Sequence, residues 1–365
     1  MKYFRLDNLD KENATYNIAI GERSNGKTYA CLERIIKNYL DSGLVNQGAI
    51  IRRWAEDLKT YRGQVMFNSL LQNGILINTI WHGIEYKSRA WWLYYEDENL
   101  NKKVYDKQPF CYAFALSELE HDKSTAYPNV TTVLFDEFLS RKSYLPDEFV
   151  LFMNTLSTII RERDNVKIYM MANTVSKESP YFKEMGLKHI DTMKQGTVSV
   201  YNYGDSDLKV AIEYCENYKK IRKKSDKYFA FDNEKLKMIT GGAWEVAVYN
   251  PVPCKYKPTD IKFTYFIKWN DKLIQCEIIK KDNMCFTYCH LKTTELKDSN
   301  KDLVFSPDGD SRVNWIRNIL KPTLSIQSKI IEFFYEDKVY YQDADVGETV
   351  RAYLQYCTQF NIIKS

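Results

Sequence analysis

Over the first two hundred residues, short apolar runs alternate with longer stretches of helical spacing, the pattern of an α/β domain. Tyr16 to Ile20 reads as a strand and about Thr28 to Leu40 as a helix. Ala49 to Arg52 reads as a second buried strand, and a meander of strands follows from Ile75 to Ala115 around a polar turn at Asp97 to Asn101. Thr131 to Phe135 and Val166 to Met171 are apolar almost throughout, as strands covered on both faces are. Between these two strands, Pro146 is placed to open a helix with Asp147 and Glu148 in its first turn. Phe149, Phe152, Met153, Leu156, Ile159 and Ile160 would form its apolar stripe. The expected product is a mostly parallel sheet flanked by helices.

Beyond Tyr201 the pattern changes. Leu208 to Lys227 reads as a polar helix ending in the basic run YKKIRKKSDK at Tyr218 to Lys227, so a linker is expected there. Pro251, Pro253 and Pro258 mark turns before alternating strands at Phe263 to Trp269 and Leu273 to Ile279, and a helix at about Val346 to Gln359 follows. The expected organisation is an α/β domain over residues 1–205, a helical basic linker over 206–234 and a smaller α+β domain over 235–365. No internal repeat or low-complexity tract interrupts it.

Bulk composition narrows the class without deciding it. A chain of 365 residues, 44% hydrophobic, can bury two cores. Lysine and arginine number 52 against 48 acidic residues, so the net charge of +4 is a small difference, and any contact with nucleic acid must be local. The first seventeen residues carry charge throughout, so no secretory signal is expected. The longest apolar segments, such as Val150 to Ile160, fall short of the ~20 residues that cross a bilayer, so no membrane span is expected either. Among eight cysteines there is no CxxC pair, and Cys285, Cys289 and His290 lack a second matching pair, which favours reduced thiols.

Residues Gly21 to Thr28 read GERSNGKT, a complete GxxxxGKT motif between an expected strand and an expected helix. In that setting the backbone N–H groups of Gly21, Glu22, Arg23, Ser24, Asn25 and Gly26 line a phosphate cradle at a helix N-terminus. Lys27 is placed to reach the β and γ phosphates of ATP, and the Thr28 hydroxyl to ligate Mg2+. TTVLFDE at Thr131 to Glu137 supplies the second half of such a site. Asp136 at the strand's C-terminal edge is the expected metal partner, and Glu137 the group that polarises a water for attack. Without the upstream loop, the same two acids would read as a solvated pair capping a turn.

Several stretches together resemble one family: GERSNGKT, the IIRRW segment around Ile51 (Ile50 to Trp54), STAYPNVTTVLFDEF at Ser124 to Phe138, TIIRER at Thr158 to Arg163 and MANTVSKESPYF at Met171 to Phe182. They are similar to the DNA-packaging ATPases of phi-29-type short-tailed phages, an ASCE-type branch of the FtsK/HerA-like P-loop motors. The resemblance implies that Arg161 is an arginine finger reaching into a neighbouring subunit of a homomeric, pentameric ring. It also implies that Lys123, Lys142 and Asn173 sense the nucleotide, and that Arg52, Arg53 and Lys59 face double-stranded DNA. Arg161 or Arg163 pairing with nearby acids or helix-terminal carbonyls is the competing reading, as a solvated basic edge is for Arg52, Arg53 and Lys59, and an ordinary turn residue for Asn173.

The family's second domain resembles a vestigial RNase H-like nuclease. Here the candidate first strand, FTYFIKW at Phe263 to Trp269, carries no acid, and Asp308, Asp310, Asp343 and Asp345 fall in polar loops, so nuclease activity is not expected. Docking on a phage portal and procapsid is what the resemblance leaves for this domain, through a structural packaging RNA if one is used. The implied location is the host cytoplasm, transiently at the portal vertex. Two other functions remain open on the residues alone: a DNA translocase or helicase unrelated to capsids, and a nucleotide-switched nucleic-acid-binding adaptor.

Overall fold

A computed structural model describes residues 3–99, 101–121, 125–140, 144–174, 179–216 and 249–362. The chain forms two compact units, residues 1–245 and 246–365. Among the described residues no helix is long and apolar enough to cross a membrane.

The first unit is built on one ten-stranded sheet. Its centre is six parallel strands in the order β6 (Cys111–Ala115), β2 (Gln47–Arg52), β7 (Val130–Asp136), β8 (Lys167–Asn173), β1 (Tyr16–Gly21) and β10 (Lys209–Tyr214). All six residues of β1 are buried, and β2, β7 and β8 are nearly so, because helices and loops cover both faces. β3 (Gly83–Lys87), β4 (Ala90–Asp97) and β5 (Lys102–Tyr105) extend one edge as the expected antiparallel meander. β9 (Thr197–Asn202) closes the other edge antiparallel to β10.

On one face, helix α1 (Lys27–Asp41) buries Cys31, Leu32, Ile35, Ile36 and Tyr39. Its close approach to the sheet depends on Gly48 in β2, where a Cβ would stand 2.4 Å from Ile35 Cγ2. On the other face, α2 (Glu148–Ile160) lays Phe152 against Phe135 of β7, ring centroids 5.0 Å apart, beside Phe138 and Tyr181. Phe152, Leu156 and Ile159 are buried as the stripe predicts, but Met153 is 39% exposed.

The expected polar helix from Leu208 is corrected in its first part: Lys209 to Tyr214 is a strand, and Val210 to Tyr214 pairs in parallel register with Tyr16 to Ile20. The apolar triplet Val210, Ala211 and Ile212 is too short for periodicity to tell helix from strand, and pairing with β1 decides it. Cys215 and Glu216 follow it without helical structure, and residues 217–227, the basic run included, lie outside the described residues.

β10 also buries Glu213, whose Oε1 accepts from Asn8 Nδ2 at 3.0 Å. Burial pushes its carboxyl above the usual range, opposed by Asn8. A raised folded-state pKa contributes stability at low pH that is lost as pH climbs through it. Glu213→Gln is therefore expected to raise the melting temperature at pH 8, and the gain should vanish when melting is repeated at pH 3.

The second unit holds a six-stranded sheet. β11 (Ile261–Trp269), β12 (Lys272–Lys281) and β13 (Met284–Leu291) form an antiparallel meander. β14 (Val304–Phe305) and β15 (Trp315–Ile316) continue in parallel beyond β11, and β16 (Val339–Tyr341) pairs in parallel with β13. Helices Ser325–Tyr335 and Ala344–Ile362 pack Ile330, Val346, Val350 and Tyr353 into its core.

Candidate nucleotide site

The parallel ladder sets the geometry of the site. Gly21 at the end of β1 is level with Asn173 of β8, and Met171 of β8 is level with Asp136 of β7. Three strand ends thus open on one C-terminal edge, where open α/β sheets bind their ligands. Gly26, at φ 99°, turns the chain from the loop into α1. Such a left-handed conformation costs glycine little. Phe4 N–H donates to Asn25 O at 3.0 Å and braces the loop from outside.

Lys27 is 5% exposed, and its ammonium donates to Glu22 O at 2.7 Å and Asn25 Oδ1 at 3.1 Å. Thr28 Oγ1 donates to Asp136 Oδ1 at 2.7 Å. Arg52, at the end of β2, donates through Nη1 to Asp136 Oδ2 and through Nη2 to Glu137 Oε2 at 2.8 Å. Burial lifts the Asp136 carboxyl above its ordinary value, opposed by the Arg52 guanidinium and the Thr28 hydroxyl. Glu137 lies at φ 58°, with its side chain 61% exposed and its N–H donating to Met171 O at 2.8 Å.

These groups line a pocket of about 760 Å³, together with Arg23, Ser24, Trp54, Asp57, Leu139 and Asn173. That volume is of the size that takes small-molecule ligands. A hydroxyl and a buried carboxylate 2.7 Å apart offer the hard oxygen donors that Mg2+ prefers, so the residues present fit that ion.

Arg53, one residue after Arg52, points the other way. It is 6% exposed, and its Nε and Nη2 hold both oxygens of Glu148 at 2.6 and 2.9 Å. Tyr181 hydroxyl donates to the same carboxylate at 2.6 Å, and Leu145 N–H at 2.7 Å. The Tyr144 ring lies 4.9 Å from the guanidinium. Burial and the Glu148 carboxylate hold the Tyr181 phenol well above its usual range, which keeps it a donor.

A family model for the podovirus DNA encapsidation protein (Gp16) matches residues 1–227. The chain belongs to the podovirus Gp16 DNA encapsidation family. It is 32% identical over 181 residues to a DNA packaging protein of Bacillus phage B103, covering 47% of this chain and 48% of that protein. It is 30% identical over 169 residues to a DNA packaging protein of Bacillus phage phi29, covering 46% and 45%. The chain thus spans about half the length of the curated relatives it matches. Its fold is similar to a chain of the bacteriophage Phi-29 viral genome packaging motor assembly (TM-score 0.56, 19% identity, 99% and 98% covered). It is also similar to the Phi-28 gp11 DNA packaging motor (TM-score 0.54, 17% identity, 98% and 96% covered). The resemblance drawn from the sequence motifs and the P-loop α/β expectation both agree with these findings.

In this Gp16-family chain, not every expected site residue comes together. Glu22, Arg23, Ser24, Lys27, Thr28, Asp136, Glu137 and Asn173 converge on the one sheet edge. Lys123 and Lys142 lie outside the described residues. Arg161 caps the C-terminus of α2 at φ 52°, exposed, and donates to Thr125 O at 3.1 Å, outside the lining of the pocket. The alternative role, pairing with helix-terminal carbonyls, falls to Arg163, which donates to the Ile159, Ile160, Tyr127 and Val130 carbonyls.

Of the residues expected to face DNA, only Lys59 is exposed, 3.1 Å from Glu56. Arg52 and Arg53 are corrections, because Arg52 ends β2 and Arg53 lies in the bend after it, and their guanidiniums are held by Asp136 and Glu148. Both border the pocket, but Arg52 pairs with its acids whereas Arg53 buries its guanidinium against Glu148. Sequence reading also missed Trp54 and Asp57 at the pocket wall, and only their adjacency to the strand end could have pointed to them.

Proposed function

We propose that this chain is an ATP-hydrolysing motor that drives double-stranded DNA into a phage procapsid. One contact carries the reading: the Thr28 hydroxyl on Asp136 at 2.7 Å, which unites two motifs 108 residues apart. Lys27 and the loop N–H groups bind the β and γ phosphates. Thr28 and Asp136 would hold Mg2+, which when bound neutralises charge on the phosphoryl group. Glu137 takes the proton of the attacking water as general base. Arg52 offsets the repulsion between the two acids and holds Glu137 at the pocket edge. Asn173 senses the γ phosphate from β8, and Arg161 of one subunit completes the site of the next in a ring.

DNA is gripped through phosphate contacts, since a packaging motor must accept any sequence. Lys59 and the basic run Lys219 to Lys227 supply candidates for that grip. The second unit docks the motor on the portal or a packaging RNA and does not cut DNA. β11 carries no acid, and the four aspartates are engaged separately: Asp310 with Arg312 at 2.6 Å, Asp345 with Lys272 at 3.0 Å, Asp308 with Lys268 at 3.8 Å, and Asp343 on the N–H of Val346 at 2.9 Å.

The test combines purified chain, portal-bearing procapsids, linear DNA and ATP, followed by nuclease. ATP-dependent protection of full-length DNA is expected. ATP turnover without any protection would place the chain with translocases unrelated to capsids and overturn the packaging role.

A further inference from the structure

We propose that Arg53 is a positioning residue for hydrolysis, fixing Glu137 in the pocket and tying it through Glu148 to the helix that ends at Arg161. This rests on the hydrolytic reading of the pocket given above.

Arg53 divides its guanidinium between two structures. Nη1 donates to Glu137 O at 3.3 Å and Nη2 to Phe138 O at 2.6 Å, while Nε and Nη2 grip Glu148. Glu137 sits at φ 58°, a left-handed conformation that a non-glycine residue keeps only when its surroundings hold it. Here they do so from both sides, with its N–H on Met171 O and its C=O on Arg53. Fixing both peptide groups fixes the Cβ direction, the root from which Arg52 Nη2 holds the Glu137 carboxylate at 2.8 Å.

The other half of the grip is equally constrained. Glu148 side-chain exposure is 0%, and its carboxylate accepts from Arg53, from Tyr181 and from Leu145 N–H. Such saturation is what a buried ion pair needs to offset its desolvation. Glu148 is the first residue of α2, and Arg161 caps the last turn. Thirteen residues of helix form a rod of about 20 Å. A shift of Arg161 on meeting a neighbouring subunit's nucleotide is therefore felt at Glu137 of its own subunit. The pair makes one subunit's arginine and its own general base parts of a single rigid body.

Removing one partner alone would strand a buried charge, so the decisive variant is the double replacement Arg53→Met with Glu148→Leu, which keeps volume and removes both charges. Melting temperature, affinity for a fluorescent ADP analogue with magnesium, and kcat and KM for ATP with DNA present are then measured. The expected result is a folded protein with wild-type nucleotide affinity and KM, and a kcat lower by about 100-fold, the scale of a misplaced catalytic group. A folded double variant with wild-type kcat overturns the positioning role. Should the double variant not fold, Tyr181→Phe decides: a several-fold loss of kcat at unchanged KM supports the proposal, and an unchanged kcat overturns it. Wild-type protein that never turns over ATP would overturn the hydrolytic reading itself, an outcome distinct from a silent pair in an active enzyme.

Discussion

Glu137→Gln is expected to stop ATP turnover while leaving nucleotide binding intact. The amide keeps the size of the side chain but cannot take a proton from water, and a general base contributes about 10²- to 10⁴-fold to rate. Because 61% of the Glu137 side chain is exposed and its N–H bond to Met171 O is a backbone contact, the fold should not respond. Phosphate release with DNA present measures the effect. Turnover at the wild-type rate would mean that some other group activates the water.

Arg161→Ala carries the other large effect, a loss of about 10³- to 10⁵-fold in kcat if its guanidinium stabilises the transferring phosphoryl group in the next subunit. Alanine leaves the positive φ in place, so the change removes chemistry rather than backbone strain. Mixing Arg161→Ala subunits with Glu137→Gln subunits should restore part of the activity, because some interfaces then pair an intact arginine with an intact glutamate. Silence at every mixing ratio would rule out action across an interface. Arg163→Ala should instead lower stability, since its guanidinium ties the end of α2 to the Val130 and Tyr127 carbonyls.

The loop and the acid pair were legible because their chemistry demands a fixed setting. GxxxxGKT needs a strand before it and a helix after it, and Asp136 needs a buried strand that ends where the loop opens. Arg52 and Arg53 were not legible. They are adjacent arginines, one the last residue of β2 and the other in the bend after it, and only the folded chain sends one to Asp136 and the other to Glu148. Glu148 itself looked like an ordinary acid favoured at a helix N-terminus, which hides its burial. Lys209 to Tyr214 failed for a different reason: a three-residue apolar core carries no usable period, and long-range pairing with β1 fixed its conformation.

Calorimetric titration of the chain with ATP, run with magnesium and again with EDTA, bears most directly on the joining of the two motifs. One nucleotide per chain should bind, strongly only with the metal, and Asp136→Asn should remove the metal dependence despite lying far from the glycine loop in sequence. No binding by the wild-type chain, or magnesium-dependent binding that survives Asp136→Asn unchanged, would contradict the account.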